Sequence, residues 1–247
     1  MAEKVNEALL NASKNGSVEG VKAALKAGAD IDYKPGFKQW GIGDCISNIG
    51  TALFNASIAG HVDVVRLLLR KGASVVKRTG SIAPLHAAAL KGWTEVVDLL
   101  VQHGATVDVR DSWQSTPLMF ACEYKQIDTA RRLIELGARP DFDHGLAEAA
   151  GTICDCDKES WELLEEAKNS KLLRCCNPKC GKLGHRKTLK LCGRCKLTRY
   201  CSRDCQIQHW SVGHKKCCGH DVYTDDGVDP HQKRMELSAI KWLIKAT

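Results

Sequence analysis

Residues 83–106 read APLHAAALKGWTEVVDLLVQHGAT, and two further stretches repeat the pattern: TALFNASIAGHVDVVRLLLRKGAS from Thr51 and TPLMFACEYKQIDTARRLIELGAR from Thr116. Their starts lie 32 and 33 residues apart, and so do Gly72, Gly104 and Gly137. Each unit predicts two short helices. The first carries a compact apolar run, Leu85, Ala87, Ala88 and Leu90, whose small alanines let it sit close to its neighbours, and Gly60 and Gly92 mark the turn that follows. The second is rich in branched and Leu side chains, as in Val64, Val65, Leu67 and Leu68, and fills the layer between units. A two-helix unit cannot bury its apolar face alone, so the units must stack. Gly72, Gly104 and Gly137 come after the second helix, where a left-handed C-cap is cheapest for glycine.

The period, together with a likeness to the pattern T-P-L-H-x-A, resembles the ankyrin repeat family, which implies an α-helical solenoid. An earlier copy, LLNASKNGSVEGVKAALKAGADID from Leu9 to Asp32, makes about four repeats. Its Gly28 lies 44 residues before Gly72, which leaves an insert within residues 33–48 that extends the loop projecting as a finger in ankyrin proteins. The insert carries Tyr33, Phe37 and Trp40, rings that either tuck back on the first repeat or meet a partner. In the fourth copy Lys125 replaces the turn glycine, so that turn must accept a strained residue or be remodelled. Residues 141–170 then read as a degenerate fifth unit that caps the stack, with a short helix near 146–151 and a second near 158–168 turning Trp161, Leu163 and Leu164 inward. His61 and His86 are expected to make turn or cap hydrogen bonds, and His103 holds an ordinary repeat position. Cys122 reads as a buried small hydrophobe, Cys45 as a loop residue, and Cys154 with Cys156 as a structural or free pair.

The 247 residues are 44% hydrophobic and 26% charged, which excludes wholesale disorder, and no stretch approaches eighteen apolar residues, which excludes a spanning helix. The polar N-terminus lacks the apolar core of a signal peptide. Nine of the thirteen cysteines fall between Cys175 and Cys218 with histidine interleaved, a clustering that a reducing compartment and bound metal explain better than disulfides. An intracellular protein, of cytoplasm or nucleus, is therefore expected. The net charge of +7 is uneven: residues 170–219 hold thirteen Lys or Arg against the single Asp204. The question of nucleic acid belongs to that stretch alone.

Zinc prefers four Cys or His ligands in a tetrahedron, usually supplied as sequence-local pairs. The pairs on offer are Cys175 or Cys176 with Cys180, Cys192 with Cys195, Cys201 with Cys205, and His214 with Cys217 or Cys218. Eight ligands complete two sites and leave none open to water or substrate, which favours structural over catalytic metal. Ser202 is placed to cap a helix carrying Cys205, His209 and Trp210, and His209 is a ninth candidate that two complete sites leave without a metal.

This stretch strongly resembles the MYND-type zinc finger. The matching residues are Cys192 and Cys195, Tyr200 with Cys201, Cys205 with Gln206, Trp210, and His214 with Cys218. The resemblance implies cross-braced pairs, one zinc on Cys175, Cys180, Cys201 and Cys205 and a second on Cys192, Cys195, His214 and Cys218. It favours Cys218 through its H-x3-C spacing and Cys175 through a C-x-N-P-x-C variant of the first pair. It also implies a shallow groove for short proline-containing peptides, lined by Gln206 and Trp210, although Trp210 can equally be packed between the zinc loops.

The expected organisation is an ankyrin repeat domain at 1–169, a MYND-type finger at 175–218, and an acidic link with an amphipathic helix from about 231 at 219–247. That helix would turn Met235, Leu237, Ile240, Trp242, Leu243 and Ile244 to one face, which docks on the chain or meets a partner or membrane surface. No glycine-rich phosphate loop or nucleophile motif is present, so the expectation is a non-enzymatic adaptor for protein partners, within a transcriptional or signalling complex. The alternative is a nucleic-acid-associated regulator making weak polyanion contact through the basic module, and a third reading is the targeting part of an enzyme complex. The basic stretch GKLGHRKTLK at 181–190 reads as a loop with neither a recognition helix nor regularly spaced aromatics.

Overall fold

A computed structural model describes residues 2–35, 50–112, 114–140, 158–169, 172–185, 188–195 and 197–218. Four helix pairs follow one another: α1 (Ala2–Lys14) with α2 (Val18–Lys26), α3 (Ala52–Ala59) with α4 (Val62–Arg70), α5 (Pro84–Lys91) with α6 (Thr94–Gln102), and α7 (Pro117–Glu123) with α8 (Ile127–Glu135). A further helix, α9 (Lys158–Asn169), packs on α8. The first helices form one row and the second helices another, each touching its counterpart in the next repeat. One apolar core runs from Leu9 and Leu10 in the first repeat through Leu68 and Leu100 to Leu163 and Leu164 in α9. This is the stacked ankyrin solenoid that the 33-residue period implies.

Local chemistry starts each first helix. The Thr51 hydroxyl accepts the Phe54 N–H at 3.2 Å, and Thr116 does the same for Met119 at 3.4 Å. The third repeat has Ala83 there and uses His86 instead, whose Nδ1 accepts the Ala83 N–H at 3.2 Å while Nε2 donates to the Ser115 carbonyl at 3.1 Å. His86 is wholly buried, and burial, with the Arg78 charge added, lowers its pKa to about 3 against the pull of the Ser115 bond.

The turns inside the repeats are roofed in a regular way. A Cβ at Gly16 would strike the ring of His61, one at Gly60 the ring of Trp93, and one at Gly92 the amide of Gln126. The roofing His61 donates from Nε2 to the Lys14 carbonyl at 2.8 Å, and Trp93 donates from Nε1 to the Ile58 carbonyl at 3.0 Å. Both carbonyls lie two residues before the covered glycine, so the side chain locks on the turn as well as covering it. Lys125, at the fourth such turn, keeps the left-handed backbone with φ 58°, so the turn holds the strained residue and is not remodelled.

Repeats are also joined through aspartates. Asp32 accepts the Ser74 N–H at 2.9 Å, and two repeat units later Asp108 accepts the Arg139 N–H at 2.9 Å. Asp108 adds a 2.8 Å ion pair to Arg139 Nε, nearly out of contact with water.

The end of the solenoid corrects one expectation. Leu163 and Leu164 are buried, and the Ser160 hydroxyl donates to the Cys122 carbonyl, but Trp161 is 44% exposed. The buried stripe of α9 runs Ser160, Leu163, Leu164, the i, i+3, i+4 face, and Trp161 lies about 100° round the helix from Ser160. It sits under the Lys168 ammonium, 5.7 Å from its ring. Of the insert rings, Tyr33 packs against the solenoid core, while Phe37, Trp40, Cys45, the helix near 146–151, Cys154, Cys156 and the helix from about 231 lie outside the described residues. No helix among the described residues is long and apolar enough to cross a membrane.

Two outcomes are expected in thermal or chemical unfolding. Lys125→Gly should stabilise the chain by about 0.5–1 kcal/mol, because relief of left-handed strain exceeds the entropy glycine adds to the unfolded chain. For His86, the unfolded chain takes a proton near the ordinary 6.5 while the folded chain waits until about 3, so its contribution is present above 6.5 and lost as pH falls. The stability difference between wild type and His86→Asn should therefore narrow as pH is lowered through that window.

Candidate metal centres

After the solenoid the chain folds as two hairpins and a helix. Strand β1 (Leu172–Arg174) pairs antiparallel with β2 (Leu183–His185), and β3 (Lys190–Leu191) with β4 (Arg199–Tyr200). Cys175 and Cys180 lie in the turn of the first hairpin, and Cys192 and Cys195 in that of the second. The Cys176 N–H donates to the Arg199 carbonyl at 2.8 Å and ties the hairpins together. The helix α10 (Arg203–His209) begins at Ser202, whose hydroxyl accepts the Cys205 N–H at 3.2 Å. A wide π turn over Trp210–His214 leads into a last helical turn, α11 (Lys215–Cys217). The basic segment 181–190, read above as a loop, instead contains β2 and enters β3. Of its described basic residues, Lys182 lies just before β2 and Lys190 in β3, both exposed.

This arrangement gathers eight side chains into two groups of four. Cys175, Cys180, Cys201 and Cys205 form one, and Cys192, Cys195, His214 and Cys218 the other, with the donor atoms of each group within 4.8 Å of one another. The first hairpin turn therefore meets the start of α10, and the second meets the end of the π turn, which is the crossed pattern. Sulfur separations are 3.6 Å for Cys180 and Cys201, 3.5 Å for Cys201 and Cys205, and 3.7 Å for Cys192 and Cys218. His214 Nε2 lies 3.7 Å from the Cys195 sulfur. A tetrahedron with zinc–sulfur bonds of about 2.3 Å has edges of about 3.8 Å, whereas a disulfide brings sulfurs to about 2.05 Å. The separations fit a shared cation.

The electrostatics point the same way. Burial opposes ionisation of Cys205, yet hydrogen bonds from Ser202, Cys201, Cys180 and Asn177 outweigh it and lower that thiol to about 7. Burial and the nearby Cys205 and Cys180 push Cys175 well up, and burial with its hydrogen bond to Cys192 and the Cys195 charge pushes Cys218 to about 12. Packed thiols resist ionising together, and a dication among them removes that resistance. The second group is the more deeply buried, with His214 fully enclosed and Cys180 of the first group exposed.

The neighbours show what sequence reading missed. Asn177, almost wholly buried, donates from Nδ2 to Gln208 at 2.9 Å and accepts the Lys179 N–H at 3.1 Å, which fixes the first turn on α10. An Asn before Pro is a turn signal that could have revealed it. His209 belongs to neither group: Tyr200 bonds its Nδ1 at 3.0 Å, and its ring stacks on His214 at 5.1 Å. Burial, then the His214 charge, lowers its pKa to about 4. Cys176 also stands apart. It is buried with its sulfur 3.3 Å from the Arg199 N–H, and burial raises it to about 12. Trp210 is half-buried against the cysteine cluster, its ring 5.9 Å from His214, and Gln206 is half-buried on α10.

With this geometry, the comparisons with known proteins agree. Residues 50–80 match an ankyrin repeat, residues 76–143 match ankyrin repeats in three copies, and residues 175–218 match the MYND finger. The chain thus carries ankyrin repeats over residues 50–143, followed by a MYND finger at 175–218. Both modules are non-catalytic and generally mediate protein–protein interaction. Among curated proteins it is similar to human protein phosphatase 1 regulatory subunit 27, 41% identical over 85 residues, which are 34% of this chain and 55% of that protein. It is also similar to ankyrin repeat and SOCS box protein 11 of Danio rerio, 39% identical over 85 residues, covering 34% of this chain and 29% of that protein. A third relative is serine/threonine-protein kinase 12 of Arabidopsis thaliana, 46% identical over 55 residues, 22% of this chain and 12% of that one. The chain thus spans about half the length of the phosphatase subunit it matches.

Substitutions separate Cys175 from its neighbour. Cys176→Ala should leave the metal content measured by atomic emission unchanged, and Cys175→Ala should reduce it.

Proposed function

We propose that this chain is an intracellular adaptor in which two structural zinc ions hold a peptide-binding surface beside an ankyrin surface. Cys175, Cys180, Cys201 and Cys205 hold one ion, and Cys192, Cys195, His214 and Cys218 the other. The observation that carries the reading is the gathering of four protein donors in each group, enough to fill a tetrahedral zinc and leave no coordination position for water or substrate. Structural zinc contributes about 10–16 kcal/mol of apparent binding free energy in small zinc peptides, and a module this small depends on it to fold. The domains divide as 1–169, 175–218 and 219–247.

In this reading Gln206 and Trp210 take short proline-containing peptides. Trp210 serves both roles weighed for it, since its half-buried ring braces the second cysteine group while its remaining surface faces outward. Proline-rich segments arrive preordered and lose little entropy on docking. The ankyrin surface takes a second site on the same partner or assembly, and linking two weak contacts raises avidity without a new contact. Similarity to a phosphatase regulatory subunit supports a role in bringing other proteins together, within a transcriptional, signalling or enzyme complex.

A second reading is supported by charge. Lys179, Lys182, Lys190, Arg194, Arg203, Lys215 and Lys216 are exposed around the finger, and weak contact with a polyanion uses them. They are distributed over both hairpins, α10 and α11, and α10 is only seven residues long, which disfavours a groove-reading helix.

Titration of the zinc-loaded chain with a proline-rich peptide array, followed by anisotropy on the captured peptide, tests the adaptor. Trp210→Ala should cost about 2 kcal/mol, roughly thirtyfold in affinity. Raising salt from about 50 to 200 mM should change peptide binding little and duplex binding by orders of magnitude. Absence of selective capture, with tight salt-sensitive duplex binding, favours the second reading.

A further inference from the structure

The four glycines that end the second helices have the same backbone and different surroundings. Gly28, Gly72, Gly104 and Gly137 have φ of 89°, 91°, 96° and 100°. Among the described residues, a Cβ placed on Gly28 or Gly72 would meet nothing within 4 Å. On Gly104 it would lie 2.5 Å from the Gly213 backbone and 2.8 Å from the His214 nitrogen, and on Gly137 it would lie 3.2 Å from the Arg174 carbonyl and 3.4 Å from the Cys176 sulfur. The approach is mutual, since a Cβ on Gly213 would collide with the His103 carbonyl oxygen. The zinc module therefore rests on the closing turns of the third and fourth repeats, backbone against backbone.

Both seats touch the cysteine groups. Gly213 immediately precedes His214, and Arg174 with Cys176 flanks Cys175. Between the modules lies a cleft of about 260 Å³ walled by Ile134 and Leu163 on one side and Leu173 and Leu183 on the other.

We infer that the third and fourth repeats are part of the zinc sites' support, with Gly104 a positioning residue for His214, so that zinc loading and solenoid stability are coupled. The inference rests on the reading of His214 and Cys218 as zinc ligands. Its physical basis is that the backbone of a ligand on a π turn is placed by whatever the turn lies against, and here that is a glycine floor with no room for a side chain.

The repeat supplies its own control. Alanine at 72 and at 104 incurs the same left-handed strain, and only at 104 does it push on the finger. In the full chain, Gly104→Ala should release one of two zinc equivalents to a chromogenic chelator about tenfold faster or more, the range seen when support around a ligand is lost, and leave the other unchanged. Gly72→Ala should lower the thermal midpoint only. Gly137→Ala should act more weakly, and on the other equivalent, because its nearest contacts, at 3.2 and 3.4 Å, are looser than those at Gly104. For the wild-type chain, removing zinc should increase deuterium uptake at residues 102–106 and not at 70–74. Equal zinc release from the Gly72 and Gly104 variants, or uptake at 102–106 that ignores zinc, overturns the coupling. Fewer than two zinc ions on the wild-type chain overturns the ligand assignment instead.

Discussion

The left-handed turn that closes each outer helix is the constraint on which the other features depend. A helix must stop there, reverse and present its last carbonyls, and only glycine does this without strain. Once the turn is fixed, the next segment starts in register. Asp32 can then reach Ser74 and Asp108 can reach Arg139 with the same geometry. Because glycine has no side chain, the outer surface at each turn is bare backbone. Among the described residues nothing covers that surface in the first two repeats, and in the last two it is covered by the finger.

Much of this was legible in the chain because the signals are local or periodic. The spacing of Gly72, Gly104 and Gly137 gives the repeat, and the paired cysteines give the donor groups. What was not legible depends on contacts between distant segments. That Cys176 faces Arg199 and Gly137 cannot be read from a Cys-Cys dipeptide, and the pairing of His209 with Tyr200 needs the hairpin and helix to be placed first. Trp161 misled because a large aromatic near two leucines reads as core, while the helix phase put Ser160 on the buried stripe.

The finger shows how a weak local fold acquires a definite shape. Its strands are two or three residues long and α10 has seven, too short to persist alone. Two cations can bind three cysteine pairs and the His214–Cys218 pair across one another, and Asn177, Gln208, Tyr200 and His209 set the angle of α10 against the hairpins. Packing, metal and hydrogen bonds thus act on different joints of the same small object.

The roofed turns of the solenoid carry an asymmetry of another kind. Gly16, Gly60 and Gly92 are floors that admit nothing larger than hydrogen, while the groups lying on them are an imidazole, an indole and a carboxamide. Any flat group serves as the cover, so drift among repeat copies falls on one partner of each pair and spares the other. Units descended from a common copy can in this way come to differ along one edge of the stack while their backbones remain superimposable.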